Sequence, residues 1–212
     1  MQILNQAKNK ILPLIQDFLD KMVFFETKEN CLYTDFLGAK SEGLTFGDIK
    51  ETLSVEQIMG LDLDSDKNKE LFVGFLNAFV NFYNKEPSTI FCKNNQFCFN
   101  EMGNRFFKRY GSNLSMCFID NLESNFEILN KYGFKINFLN FQENAFQERI
   151  FDCIANNFLV LCNGYCLTKP WADDILEISS MDNANRLVIF FGPQSAFVSM
   201  INLKRLCFFK EV

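Results

Sequence analysis

From Leu114 onward the chain alternates short apolar runs with stretches of helical period, and this alternation restricts the fold more than any other feature. The runs are Leu114–Ile119, Phe134–Leu139, Phe158–Leu161 and Leu187–Phe191. Between them, Leu122–Lys131, Asn144–Ala155 and Asp173–Met181 place apolar residues three and four apart, as one face of a helix requires. Strands joined through a helical crossover pair in parallel, because a hairpin turn cannot return the chain to the same end of a sheet. The pattern therefore predicts an α/β, Rossmann-like layer structure with a mainly parallel sheet.

The amino-terminal half follows a different pattern. Ile3, Leu4, Ala7, Ile11, Leu14, Ile15, Phe18, Leu19 and Met22 sit at helical spacings, so 3–25 reads as an amphipathic helix with a kink or boundary at Pro13. Cys31–Leu37 and Leu44–Phe46 are brief apolar stretches bounded by turn formers and read as strands of a hairpin or meander. Ser54–Met59 suits a short helix. Asp66 is an N-cap for a longer one, with Leu71, Phe72, Phe75, Leu76, Ala78 and Phe79 on its apolar face and an end in 83–87. Cys92–Ser112, with Asn94, Asn95, Gly103, Asn104 and Gly111, reads as a junction. The 212 residues thus divide into a smaller α+β domain, 1–100, and a Rossmann-like domain, 101–212.

Charge and composition exclude several functions. Lys and Arg number 21 against 26 Asp and Glu, a net charge of −5, which opposes affinity built on neutralising phosphates; no nucleic-acid partner is expected. The absence of His removes Ser-His-Asp and Cys-His catalysis and every imidazole metal ligand. No GxGxxG follows the first carboxyl-half strand, where Asp120-Asn121-Leu122-Glu123 stands instead, so no NAD or FAD is expected; no GxxxxGK[ST] occurs either. No apolar run reaches the length of a membrane span and MQILNQAKNK lacks the order of a signal peptide, so a cytoplasmic location and no membrane partner are expected. In that reducing setting the eight cysteines are expected as packed thiols rather than disulfides.

Several short motifs can carry chemistry. Asp62, Asp64 and Asp66 alternate like the start of a calcium loop, but the sixth and twelfth positions are Lys67 and Val73 where Gly and Glu belong, so the stretch reads as an acidic helix entry. Cys162-Asn163-Gly164-Tyr165-Cys166 follows a parallel strand, where open α/β sheets place ligand loops. Cys162 and Cys166 can share a soft metal, although a closed site needs two further ligands; Asn163-Gly164 also suits a turn. Gly192-Pro193-Gln194-Ser195 occupies the same strand-end position one crossover later, as an anion-holding loop or a strand-terminating turn. Asp173, Asp174 and Glu177 open the intervening helix, as acid–base groups or as complements to its dipole. Trp171 is a pocket wall or a core residue.

These motifs also carry a resemblance. Asp152, Asn163-Gly164, the acidic helix Asp173-Asp174-Ile175-Leu176, and Gly192-Pro193 with Ser195 follow one another as in a bacterial and archaeal family described as a heavy-metal chelation domain, a Rossmann-like domain of unknown function. Upstream, Glu70–Ala78, with Gly74, Asn77 and Ala78, resembles a helix of the enolase N-terminal-like domain that precedes it. The chain differs from the family at Asn163-Gly164-Tyr165-Cys166, at Lys169-Pro170-Trp171 and at Asn140. The resemblance implies a cleft between the two domains and, as its ligand, a transition metal ion or metal chelate.

The expected function is small-ligand binding in that cleft. Asn77, Asn163, Gly164, Tyr165, Gly192, Pro193 and Ser195 are the candidate ligand contacts, and Cys162 and Cys166 the candidate metal ligands. An enzyme acting on a small anionic metabolite, with Lys169 or Asp173 transferring a proton, is the alternative; a homodimer with a Phe-rich contact is a third.

Overall fold

The computed structural model describes residues 2–84, 89–91, 94–143, 146–181 and 186–208. The expected helix start at Asn144, part of the expected helix end at 83–87, and Cys92 lie outside these residues. The chain forms two compact units. The first comprises Met1–Phe91, Gly164–Asp173 and Gly192–Arg205, the second Cys92–Asn163, Asp174–Phe191 and Leu206–Val212. Compactness thus departs from a division at residue 100, because two carboxyl-half segments pack with the amino-terminal elements.

In the first unit, α1 (Gln2–Ile11) ends before the 3₁₀ turn Leu12–Leu14, which carries Pro13. The helix expected over 3–25 is therefore corrected: Met22–Lys28 is a strand, β1, whose Val23 and Phe25 are buried while Met22 and Phe24 are exposed. Pro13 lacks the N–H that a continuing helix needs, and the apolar period beyond residue 21 is two. β2 (Cys31–Phe36), β3 (Ala39–Leu44) and β4 (Lys50–Ser54) complete an antiparallel sheet in the order β3-β2-β1-β4. Two-residue turns set both hairpins. Lys28 pairs with Cys31 across Glu29 and Asn30 (φ 51° and 61°), and Phe36 with Ala39 across Leu37 and Gly38 (φ 52° and 83°). Positive φ at both turn residues matches the right-handed twist of the flanking strands.

α2 (Val55–Met59) starts in a capping box formed by Ser54 and Gln57. α3 (Asp66–Asn84) packs on the sheet through Phe72, Phe75, Leu76 and Phe79. The Phe36 ring meets Phe75 edge-on at 5.6 Å, and burial of a side chain of this size contributes about 2–3 kcal/mol. Gly74 permits close packing of α3, since a Cβ there would lie 2.5 Å from Thr34 Oγ1. The helix begins one residue earlier than an Asp66 cap would allow, because Ser65 Oγ accepts from the Asn68 N–H at 3.2 Å.

The stretch 92–112, expected as a junction, starts where the chain passes from the first unit to the second, and it contains α4 (Asn95–Tyr110), capped by Asn94 through the Phe97 N–H. Phe99, Met102 and Phe106, spaced three and four apart, bury against Phe118 and Phe191 in one core cluster. Polar Asn and Gly between them masked this period. The parallel strands of this unit are β5 (Ser115–Asp120), β6 (Lys135–Asn140), β7 (Leu159–Asn163) and β8 (Leu187–Phe191), in the order β6-β5-β7-β8. α5 (Glu123–Asn130), α6 (Phe146–Ala155) and α7 (Ala172–Ser180) are the crossover helices. The fold is mixed α/β with separate parallel and antiparallel sheets, as the sequence predicts.

Cys117 on β5 and Cys153 on α6 form a disulfide, against the expectation of thiols throughout. Packing of α6 on the sheet brings their Cα atoms to 5.4 Å, within the roughly 4.4–6.8 Å that a disulfide spans. Among the described residues, no helix is long and apolar enough to cross a membrane.

Candidate functional site

A recess furnished with buried and half-buried charged groups lies within the first unit. It is a pocket of about 220 Å³ lined by Phe46, Gly47, Asp48, Ile49, Asp66, Lys67, Glu70, Tyr165 and Lys169. Asp66 and Glu70 share one face of the first turns of α3, four residues apart. Tyr165 and Lys169 come from the segment after β7, which winds into a 3₁₀ turn, Gly164–Thr168. This turn is braced internally: the Thr168 hydroxyl donates to Tyr165 O at 2.8 Å and the Lys169 N–H to Cys166 O at 3.0 Å.

Charge organises the pocket. Lys169 Nζ donates to Asp66 Oδ2 at 2.8 Å, and Lys69, almost wholly buried, donates to Asp66 Oδ1 at 3.2 Å. Two ammonium groups therefore share one carboxylate. Burial works to raise the Asp66 pKa, but the two lysines outweigh it and hold the carboxyl below its ordinary range. Burial likewise works to lower the Lys169 pKa, and Asp66 together with Tyr165 outweighs it, so the ammonium sits above its ordinary range. Its Nζ stands 4.8 Å from the centre of the Tyr165 ring, a cation–π distance.

Glu70 is 6% exposed. Its Oε2 accepts from the Thr45 hydroxyl at 2.7 Å. Burial pushes its carboxyl pKa up, against the Thr45 hydrogen bond, the Lys169 charge and the nearby Tyr165 hydroxyl. Burial also raises the Tyr165 phenol, so that it remains a donor. Phe46 meets the Tyr165 ring edge-on at 5.4 Å and gives the pocket an apolar wall. Lys67 is paired with Glu51.

Of the candidate ligand and proton-transfer residues that the sequence offers, Tyr165 and Lys169 line this pocket. Others meet elsewhere in the first unit. Asn77 Nδ2 donates to Val73 O at 2.9 Å and to Gln194 O at 3.0 Å, while its Oδ1 accepts from the Phe197 N–H at 3.0 Å. Every hydrogen-bonding position of that carboxamide but one lone pair is thus engaged by the backbone. Gly192 has φ 84° and is followed by Pro193 at the start of the 3₁₀ segment Pro193–Ile201. Ser195 is fully buried; its hydroxyl donates to Gly192 O at 2.8 Å and accepts from Arg205 Nε at 3.3 Å. Gly164 is buried in its turn, and Trp171 is buried as well. Asp173 accepts from the Gln2 and Ile3 N–H groups at 2.7 and 3.0 Å, which places it at the positive end of α1.

Asn163 belongs to a second polar cluster, inside the second unit. It pairs in register with Phe191, the residue before Gly192, so the two expected loops do leave adjacent parallel strands. β6 lies on one side of β5 and β7 on the other, so the strand order reverses between β5 and β7. There Asn163 Nδ2 donates to Asp120 Oδ1 at 2.8 Å, and Asn125 Nδ2 donates to Asp120 Oδ2 at 2.7 Å. Asp120 is fully buried, which raises its pKa against these hydrogen bonds.

Cys162 and Cys166 are both fully buried. Among the described residues, no group of three or more His, Cys, Asp or Glu side chains stands where it can hold a metal ion. From the sequence Asp66 reads as an acidic helix entry and Glu70 as one position of the resembling helix, and neither is a candidate site residue. Asp66, in the first turn of α3, carries its own dipole explanation, and its partner Lys169 lies 103 residues away.

No protein-family model and no curated protein matches the sequence. Solved structures do resemble it. A protein of unknown function from the DUF364 family of Desulfitobacterium hafniense DCB-2 superposes with a TM-score of 0.64 at 12% identity, over 95% of this chain and 82% of that one. Another protein of unknown function from the same family, from Pyrococcus horikoshii, superposes with a TM-score of 0.62 at 14% identity, over 92% of this chain and 80% of that one. The chain therefore has the fold seen in these two DUF364 family proteins.

Proposed function

We propose that the protein binds a small metabolite carrying an anionic group in the pocket of the first unit, with Lys169 as the principal charge contact. The observation that supports this reading is the convergence of Lys169 and Lys69 on the single carboxylate of Asp66 at the edge of a partly apolar recess. Within that trio two ammonium groups face one carboxylate; Asp48 and Glu70, which also line the recess, oppose the surplus charge, Glu70 less than an ordinary carboxylate because burial raises its pKa. At about 220 Å³ the recess is below the roughly 300–1,000 Å³ of drug-sized sites, which suits a ligand smaller than a nucleotide. The two relatives in fold are of unknown function and supply no ligand.

The test is a panel of small carboxylates and phosphates against untagged protein, read by thermal shift and calorimetry. Zn, Fe, Ni, Co and Cu salts form the competing arm for the metal ligand implied by resemblance. Lys169→Ala is expected to weaken anion binding by about tenfold or more, the worth of one charged hydrogen bond, with the fold retained. Binding of no anion, or equal binding by the variant, overturns the reading.

A further inference from the structure

We propose that this pocket is catalytic: Glu70 moves a proton to and from the carbon beside the carbonyl of a short 2-oxo acid, while Lys169 and Tyr165 hold the oxygen. The inference rests on the pocket being an anion site and adds the substrate class and the reaction.

Three observations on separate segments support it. Glu70 is buried and oriented by Thr45, and it lines the recess rather than the surface. Lys169, a cation fixed over the Tyr165 ring, and the Tyr165 phenol, kept protonated by burial, stand on the segment facing α3. Phe46 and Ile49 supply apolar wall for a short alkyl chain. A reactive site of this kind needs a base, a stabiliser of the developing oxyanion, and surroundings that limit water.

The direction of each shift divides the roles. Lys169 is ion-paired with Asp66 at 2.8 Å and its pKa is held above the ordinary range, which disfavours it as the proton acceptor that the sequence alternative assigned to it. Glu70 is displaced upward toward the operating pH, which strengthens it as a base and lets it return the proton. The groups around it are Asp66 and Lys69 on α3, Thr45 and Asp48 on the segment before β4, and Tyr165 and Lys169. In the step itself, the C–H bond breaks and its proton passes to a Glu70 oxygen. The electron pair forms a C=C bond, and the carbonyl π pair moves onto oxygen as an enolate held by Lys169 and Tyr165. Reversal returns a proton to carbon, so no oxidant, reductant or co-reactant is consumed.

The experiment uses the full chain with pyruvate and 2-oxobutanoate in D₂O. Proton NMR follows loss of the signal at the carbon beside the carbonyl, and calorimetry measures binding in parallel. Wild-type protein is expected to accelerate exchange over buffer. Glu70→Gln, which keeps size and the Thr45 contact, is expected to lose at least about a hundredfold of that acceleration with affinity within a fewfold of wild type. Glu70→Asp is expected to retain part of it. Either acid bound without accelerated exchange, or full exchange by Glu70→Gln, overturns the proposal. Binding of other anions through Lys169 but of neither 2-oxo acid overturns the substrate assignment and leaves the pocket reading standing; binding of no anion overturns both.

Discussion

Gln194 and Leu44 are joined by two hydrogen bonds that imitate strand pairing: the Leu44 N–H donates to Gln194 Oε1 at 2.9 Å, and Gln194 Nε2 donates to Leu44 O at 3.1 Å. β3 is an edge strand, and this carboxamide satisfies backbone groups that would otherwise face an unpaired edge. Gly43 makes room for it, since a Cβ there would lie 2.7 Å from Gln194 Cγ. Gly43→Ala is therefore expected to displace Gln194 and destabilise the fold by about 1–3 kcal/mol. Urea unfolding measures the loss, and an unchanged midpoint would contradict this account.

Asn77 ties α3 to the Pro193–Ile201 segment through bonds to Gln194 O and the Phe197 N–H, all buried. Asn77→Ala strands both backbone groups and is expected to cost about 2 kcal/mol or more. Because the carboxamide is engaged structurally, the same variant should leave anion affinity per folded molecule unchanged. Chemical unfolding and calorimetry on one preparation separate the two effects.

Asp120 accepts from two carboxamides and from the Asn121 N–H. Asp120→Asn replaces one acceptor with an NH₂ group facing donors, and is expected to destabilise by about 1–3 kcal/mol although the volume is unchanged. An Asp120→Asn melting curve superimposable on wild type would show that these bonds contribute nothing net.

The raised pKa of Glu70 has a definite consequence for stability against pH. Between the unfolded carboxyl value, about 4.3, and the higher folded value, the unfolded chain has released its proton while the folded one retains it. The unfolded state thus binds fewer protons, so stability is full below that window and declines as pH rises through it. Glu70→Gln removes this decline. Its stability relative to wild type is expected to rise from pH 4 upward and level off above the folded pKa, measured by urea unfolding across pH 4 to 8.

Cys117 and Cys153 enclose a separation of 36 residues. Alkylation in denaturant without reductant is expected to leave these two unmodified and to label Cys31, Cys98, Cys162, Cys166 and Cys207. Reductant should then lower stability by about 3–4 kcal/mol on the chain-entropy account. Labelling of all eight cysteines before reduction would rule the disulfide out.

Periodicity made the carboxyl-terminal sheet legible, because parallel strands buried on both faces read as continuous apolar runs such as Leu187–Phe191. It failed at β1 and β4, and it misplaced β3, expected at Leu44–Phe46 but formed by the more polar Ala39–Leu44. β1 continued an apolar stretch from α1, whose helical spacing was still satisfied at Met22, and β4 (Lys50–Ser54) offers only a short, half-polar run. It failed at α4 because Asn and Gly interrupt the pattern carried by Phe99, Met102 and Phe106.

Local sequence alone determined where strands and helices alternate in the carboxyl half, that imidazole chemistry is absent, and that Tyr165 and Lys169 lie in a strand-end segment. Those properties depend on residues within a few positions of one another or on composition. Which side chains meet was decided only by the tertiary fold. The Asp66–Lys169 pair, the engagement of Asn77 with Gln194 and Phe197, and the joining of Cys117 to Cys153 each require distant segments to pack before any attraction between them is felt. Hydrophobic burial, which is non-directional, brings those segments together, and the directional bonds then take the partners that the packing supplies.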